Sequence, residues 1–173
     1  VIVLAEDVTA ATLERMRIER ERDYDLLTGL YNRRAFYRFA GRVLDQPDKM
    51  KHAAVVMMDL DNLKRTNDTF GHEWGDRYIH EAAVCFLRSI PEETLCARVS
   101  GDEFNILFYG YDSREAVQEA IDRLISGVEN SCFNLPDGTA TRIHVSGGIA
   151  WYPDDGTEMM ELIKCADYAM YGI

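Results

Sequence analysis

Two short stretches of this sequence put carboxylates where they could do chemistry. In "MMDLDNLKRTND" an apolar run ends in Asp59 and Asp61, and in "RVSGDEF" Gly101 is followed by Asp102 and Glu103 side by side. Hard oxygen donors brought from two elements to one point suit magnesium, which takes one or two carboxylates and completes its shell with substrate phosphates. A metal held in that way at a sheet edge suits nucleotidyl transfer, in which charge builds on attacking and leaving oxygens. Each stretch also has a plainer reading. Asp61 can cap the turn that follows its strand, and the Asp102-Glu103 turn can be a charged tip facing water.

Which reading holds depends on the elements that carry the acids. "HAAVVMMDLD", residues 52–61, reads as a buried strand rich in Val and Met that delivers its acids to the lip of a sheet. Residues 95–109 read as a hairpin. Leu95, Ala97 and Val99 alternate with Cys96 and Arg98 on one arm, and Phe104, Ile106 and Phe108 alternate with Asn105, Leu107 and Tyr109 on the other. Gly101-Asp102 sits where a two-residue primed turn wants glycine. Helical stripes run through Phe36, Phe39, Ala40, Val43 and Leu44; through Tyr78, Ile79, Ala82, Ala83, Phe86 and Leu87; and, behind a Ser113 cap, through Val117, Ile121, Leu124, Ile125 and Val128. A strand over 141–153 and a last helix capped by Thr157 complete the pattern. This order of elements predicts an α+β, palm-like fold: a central, mostly antiparallel mixed sheet flanked by helices.

Ahead of this lies a connecting segment. "VIVLAEDVT" reads as a strand over 1–9, the end of an upstream domain, and "AATLERMRIERERDYDLL" as a helix capped by Thr9 or Thr12. Leu13, Met16, Arg20, Asp23 and Leu27 form a coiled-coil seam that is apolar only at its ends. It is either a solvated connector or a dimerising helix that passes a signal onward. Bulk properties narrow the partners. In 173 residues the formal net charge is -11, with no local basic patch, which disfavours a nucleic-acid polymer. A small phosphorylated ligand fits if a metal ion offsets the charge. Cys85, Cys96, Cys132 and Cys165 have no zinc or disulfide spacing and read as buried or half-buried free thiols. With no apolar run long enough to span a bilayer and no signal peptide, the expected location is the cytoplasm, without membrane contact by this segment.

Five ordered blocks carry a further resemblance: "DLLTGLYNRR" (25–34), "DLDNLKRTNDTFGHEWGD" (59–76), "RVSGDEF" (98–104), "VSGGIAWYP" (145–153) and "LIKCADYAMY" (162–171). In order and spacing they resemble the motifs of the GGDEF family of diguanylate cyclases. The resemblance implies a GGDEF domain over 25–173, a signalling helix over 10–24 and a PAS-like sensor ending at residue 9. It implies joining of two GTP molecules, one on each half of a homodimer, into cyclic di-GMP with release of two pyrophosphates. It assigns Asp59, the Leu60 carbonyl, Asp102 and Glu103 to Mg2+ (or Mn2+), Asp102 also to the proton of the attacking hydroxyl, and Lys64 to transition-state phosphate charge. Asn67 and Asp76 match the residues that grip guanine, and His72 either contacts the nucleotide or only ties its loop together. Gly101 clears room for the triphosphate.

Three departures from the family pattern bear on activity. The leading glycine of the signature is Ser100; the Arg-x-x-Asp product-inhibition motif is replaced by "PEET" at 91–94; and the sequence ends at Ile173, before the Lys and Arg expected to hold the terminal phosphates. The competing functional classes are a degenerate GGDEF module that binds GTP without turnover and a palm-type polymerase. Charge and the guanine-gripping pair disfavour the latter.

Overall fold

The computed structural model describes residues 2–172; for residues 2–8, Met16, Glu19 and Arg20 it describes the backbone alone. Helix α1 (Ile2–Asp23) leads into β1 (Tyr31–Asn32), α2 (Arg33–Leu44), the single turn α3 (Pro47–Met50) and β2 (Ala53–Leu60). Then come α4 (Leu63–Phe70), α5 (His72–Ser89), β3 (Leu95–Ser100), β4 (Glu103–Phe108) and α6 (Arg114–Glu129). A small hairpin, β5 (Phe133–Asn134) and β6 (Ala140–Thr141), precedes β7 (Val145–Tyr152) and α7 (Met159–Tyr171). The five-stranded sheet has the order β1-β3-β4-β2-β7, parallel between β1 and β3 and antiparallel elsewhere. The expected α+β plan is therefore present.

Strand β2 is central because both of its faces are apolar. Ala54, Val56, Met58 and Leu60 pack toward α5 and α6, while Val55 and Met57 pack with Phe36, Ala40, Leu162 and Ala166 from α2 and α7. Alternation then brings Asp59 out on the α2/α7 face, at the end of the strand where apolar partners stop. The helical stripes are buried as expected, except that Phe39 and Leu44 are half-buried and Leu87 and Ile125 are exposed. Ser113 caps α6, its Oγ accepting from Ala116 N at 3.1 Å.

Several expectations are corrected. Residues 2–9 form the first turns of α1 and not a strand, so Thr9 and Thr12 lie inside the helix; Val1 and Ile173 are outside the described residues. The seam does not hold together either. Leu13 is exposed, Asp23 is buried against α2, and Leu27 lies past the helix end; the side chains of Met16 and Arg20 are outside the described residues. The strand expected over 141–153 is broken at 142–144, and its first residue belongs to the small hairpin. Glu158, not Thr157, caps α7 in a capping box: the Glu161 carboxylate accepts from Glu158 N at 3.2 Å, and the Glu158 carboxylate faces the backbone N–H of Glu161. All four cysteines are free, and Cys132 is exposed. No helix among the described residues is long and apolar enough to cross a membrane.

Candidate functional site

The acids meet because β2 and β4 are neighbours. Asp59 pairs directly with Glu103 on β4 and with Ser146 on β7. Leu60 N donates to Asp102 O at 3.0 Å, which pins the hairpin tip to the end of β2. Asp61 is held differently. Its N donates to His144 O at 3.0 Å, and its carboxylate accepts from Ser146 Oγ at 3.0 Å. Asp59 therefore stands on the shared face with Asp102 and Glu103 close by. Burial, followed by the charges of Asp102, Glu103 and Asp61, pushes its carboxyl up to about 6. Asp59 foremost, then burial, Asp167, Glu103 and Asp102, raise the Tyr171 hydroxyl, which marks the C-terminal end of α7 as a border of the cluster.

Among the described residues no three His, Cys, Asp or Glu side chains form a ready-made metal cage. The expected carboxylate ligands Asp59, Asp102 and Glu103 are near one another without forming one. The donor chemistry fits magnesium: the groups that meet are oxygen only, and burial, then the neighbouring acids, raise the Asp59 carboxyl above its usual range.

The turn itself departs from the expected geometry. Neither Gly101 nor Asp102 has positive φ, and the register slips between Arg98 and Ser100, so the tip is a bulged turn and not a primed one. Asn62 is the sole non-glycine with positive φ among the described residues, so the backbone at Ser100 makes no demand for glycine. A Cβ at Gly101 would meet nothing within 4 Å, so the fold alone does not require glycine there.

Beyond β2, Asn62 adopts the left-handed conformation (φ 65°) and turns the chain into α4, a helix not foreseen from the sequence. Lys64 is exposed on its first turn. Asn67 lies against α5 at Gly75, where a Cβ would come 1.9 Å from Asn67 Oδ1. That oxygen is buried and has no hydrogen-bond partner. His72 is exposed at the start of α5. Asp76, also exposed, opens onto a cleft lined by Leu27, Trp74, His80 and Phe133, which Asn67 does not line.

Sequence reading missed one tie. Arg98 donates through Nε to Gly101 O at 2.9 Å and through Nη1 to both Asp25 oxygens at 3.3 Å. Burial works against the Asp25 charge, but bonds from Thr28 and the Arg98 guanidinium outweigh it and hold the carboxyl low. The available signal was a charged residue on an otherwise apolar hairpin arm.

Comparison with known proteins completes the picture. The family described as diguanylate cyclase, GGDEF domain, matches residues 22–173. The signaling protein YkoW of Bacillus subtilis is 34% identical over 172 residues, 99% of this chain and 21% of its own length. The chain thus spans about a fifth of that relative, and 43% of a similar uncharacterized membrane protein of Staphylococcus aureus. Among solved structures, a sensory box/GGDEF family protein from Caulobacter crescentus is 32% identical with a TM-score of 0.77, covering 87% of this chain and 96% of that one. The coiled coil and GGDEF domain of DgcB from the same organism, in complex with c-di-GMP, shares the fold at 24% identity and a TM-score of 0.76, covering 99% and 93%. Sheet order, motif order and a match across nearly the whole length agree, and the chain belongs to the GGDEF-domain family of diguanylate cyclases.

Proposed function

We propose that this chain is the catalytic part of a diguanylate cyclase. Two copies, each holding one GTP, face each other; the 3′-hydroxyl of each nucleotide attacks the α-phosphorus of the other, giving cyclic di-GMP and two pyrophosphates. The observation that carries this reading is the Asp59–Glu103 register with Asp102 tied to Leu60, an acid cluster at one sheet end.

In this reading Asp59, the Leu60 carbonyl, Asp102 and Glu103 hold Mg2+ or Mn2+. The ion, when bound, neutralises charge on the phosphoryl group being transferred. Asp102 takes the proton of the attacking hydroxyl, Lys64 meets phosphate charge, and His72 lies beside the nucleotide. Gly101 leaves room for the triphosphate. The orphaned Asn67 Oδ1 supports a guanine ligand, because the base's 2-amino group is the donor that this acceptor lacks. Asp76 accepts from the remaining Watson–Crick donors. Dimerisation through α1, an upstream sensor domain and action in the cytoplasm complete the proposal.

The test is incubation of the chain with GTP and Mg2+ and detection of cyclic di-GMP. GTP binding without product would favour the non-catalytic module. Asp76→Ser should lose much of its discrimination against ATP, and an unchanged GTP preference would remove Asp76 from the base site.

A further inference from the structure

Asn105 sits in the middle of β4, 2% exposed, in a place that its residue type does not suit. Cross-strand pairing sets it in a row that runs Ala97, Asn105, Met57, Gly148 across β3, β4, β2 and β7. Directly paired residues share a face, so this row lies on the α2/α7 side, where Ala97, Met57, Leu107 and Val55 are core. Helix α7 roofs one end closely. A Cβ at Gly148 would lie 1.9 Å from Ala166 O. In these apolar surroundings Asn105 Oδ1 is buried and has no hydrogen-bond partner. Leaving such an acceptor without a donor is costly, and an aliphatic side chain would satisfy the strand pattern without that cost.

The next row toward the hairpin tip explains what the amide can serve. It holds Glu103, Asp59 and Ser146 on the same face. Glu103 is two residues away along β4 and Asp59 is a diagonal neighbour, roughly 7–8 Å between backbones, a span that side chains and one water can bridge, and Asn105 Oδ1 bonds to neither directly. An amide oxygen and an ionised carboxylate are both acceptors, so only a donor of two protons joins them. Water is that donor, and its oxygen is then turned toward a third party.

We propose that Asn105 is a positioning residue whose Oδ1 receives one proton of a water ligand of the divalent cation, the other proton going to the acid row. This rests on the metal reading above. Magnesium and manganese keep several waters when bound, and partners that orient such ligands commonly govern affinity.

The experiment uses the full chain with Asn105→Leu and Asn105→Ala. Thermal melts in EDTA are paired with Mn2+ titrations followed by electron paramagnetic resonance in the presence of a non-hydrolysable GTP analogue. The expected result is that Asn105→Leu melts no lower than the unaltered chain in EDTA, while its Mn2+ affinity falls about 10-fold or more. Asn105→Ala, which makes space without supplying an acceptor, should show the same loss and decides the matter if the leucine variant does not fold. Mn2+ affinity within 2-fold of the unaltered chain in the folded variants would overturn the inference. Failure of the unaltered chain to bind Mn2+ would instead overturn the metal reading, and this inference with it.

Discussion

Gly75→Ala separates folding from base recognition. The added methyl would stand 1.9 Å from Asn67 Oδ1, 2.8 Å from Cγ and 3.2 Å from Nδ2, so it meets the end of one side chain and no backbone. Asn67 must swing away, and the fold has little reason to resist. Its main-chain role, accepting from Gly71 N at 2.8 Å, is untouched, and the Oδ1 that moves had no partner to lose. Alanine inside α5 gains up to about 1 kcal/mol in helix propensity, against a similar cost for rearranging the contact. The melting temperature should therefore stay within about 4 °C of the parent. Base recognition has no such compensation. Losing the bond from the guanine 2-amino group removes about 0.5–1.5 kcal/mol, or about 2- to 12-fold in GTP affinity. ITP lacks that amino group, so the preference for GTP over ITP should shrink by the same factor. Calorimetric titration with non-hydrolysable analogues of both nucleotides, beside a melt, reads both quantities. An unchanged GTP-to-ITP ratio in a folded variant would refute the placing of Asn67 at the base. A fall in melting temperature beyond about 8 °C would refute the claim that the side chain yields.

Asp59→Asn should stabilise the metal-free protein near neutral pH while abolishing cyclic di-GMP synthesis. The folded carboxyl titrates near 6 against an ordinary value of 3.8, so the native state binds the extra proton between those values and loses stability as pH rises through them. After allowance for solvent screening at this partly exposed group, the gain above pH 6 is roughly 1 kcal/mol, read as the difference between pH-stability curves in EDTA. If the two curves keep a constant offset from pH 4 to 7, the raised titration of Asp59 is not the cause. Ser100→Gly should change turnover less than about 3-fold and cost about 0.5–1 kcal/mol in stability, since the native backbone there needs no glycine; a tenfold gain in rate would contradict this. Arg98→Met should lower stability by about 1–2 kcal/mol at pH 7 by freeing Gly101 O and Asp25. Because the Asp25 carboxyl is held low, the difference from the parent should fade as pH drops below the ordinary carboxylate range. The share owed to the Gly101 bond does not titrate, so a loss undiminished between pH 7 and about pH 2 would assign the whole effect to that bond and to packing and none of it to Asp25.

What was legible in the sequence was whatever depends on local periodicity. Strand β2 announced itself through an unbroken apolar run, and α5 and α6 through stripes that the core absorbs almost residue for residue. The acids of the site were legible as residues, but their meeting depends on β4 lying beside β2, a pairing between segments some forty positions apart that periodicity does not encode. The N-terminal run misled because Val and Ile favour strands, whereas the chain beyond Thr9 is a strong helix former that extends backward through them. The turn at Gly101 misled for a related reason. Glycine permits a primed turn without requiring one, and the bulge at the end of β3 supplied the bend. Least legible were the orphaned oxygens of Asn67 and Asn105. Alternation gives the face on which a side chain falls, not whether a donor waits for it there.

The same limit hid how α1 is joined to the site. Residues 22–25 make four different attachments in succession. Arg22 O accepts from Asn32 Nδ2 at 2.9 Å and from Arg34; Asp23, held down to about 2 by Arg22 and Arg38, clamps α2. Tyr24 stacks on Tyr31 at 5.1 Å, and Asp25 reaches Arg98, which holds Gly101 O. Since Tyr31 also pairs with Ala97, the end of the helix grips β1, α2 and β3 together. A helix anchored at one residue could turn without consequence for the sheet. One anchored at four consecutive residues is tied through Asp25 and Arg98 to Gly101, the neighbour of Asp102. That accounts for an arginine at position 98, where the hairpin arm would otherwise take an apolar residue. Its charge spans the gap between the end of the helix and the tip of the acid turn, which no aliphatic side chain could tie together.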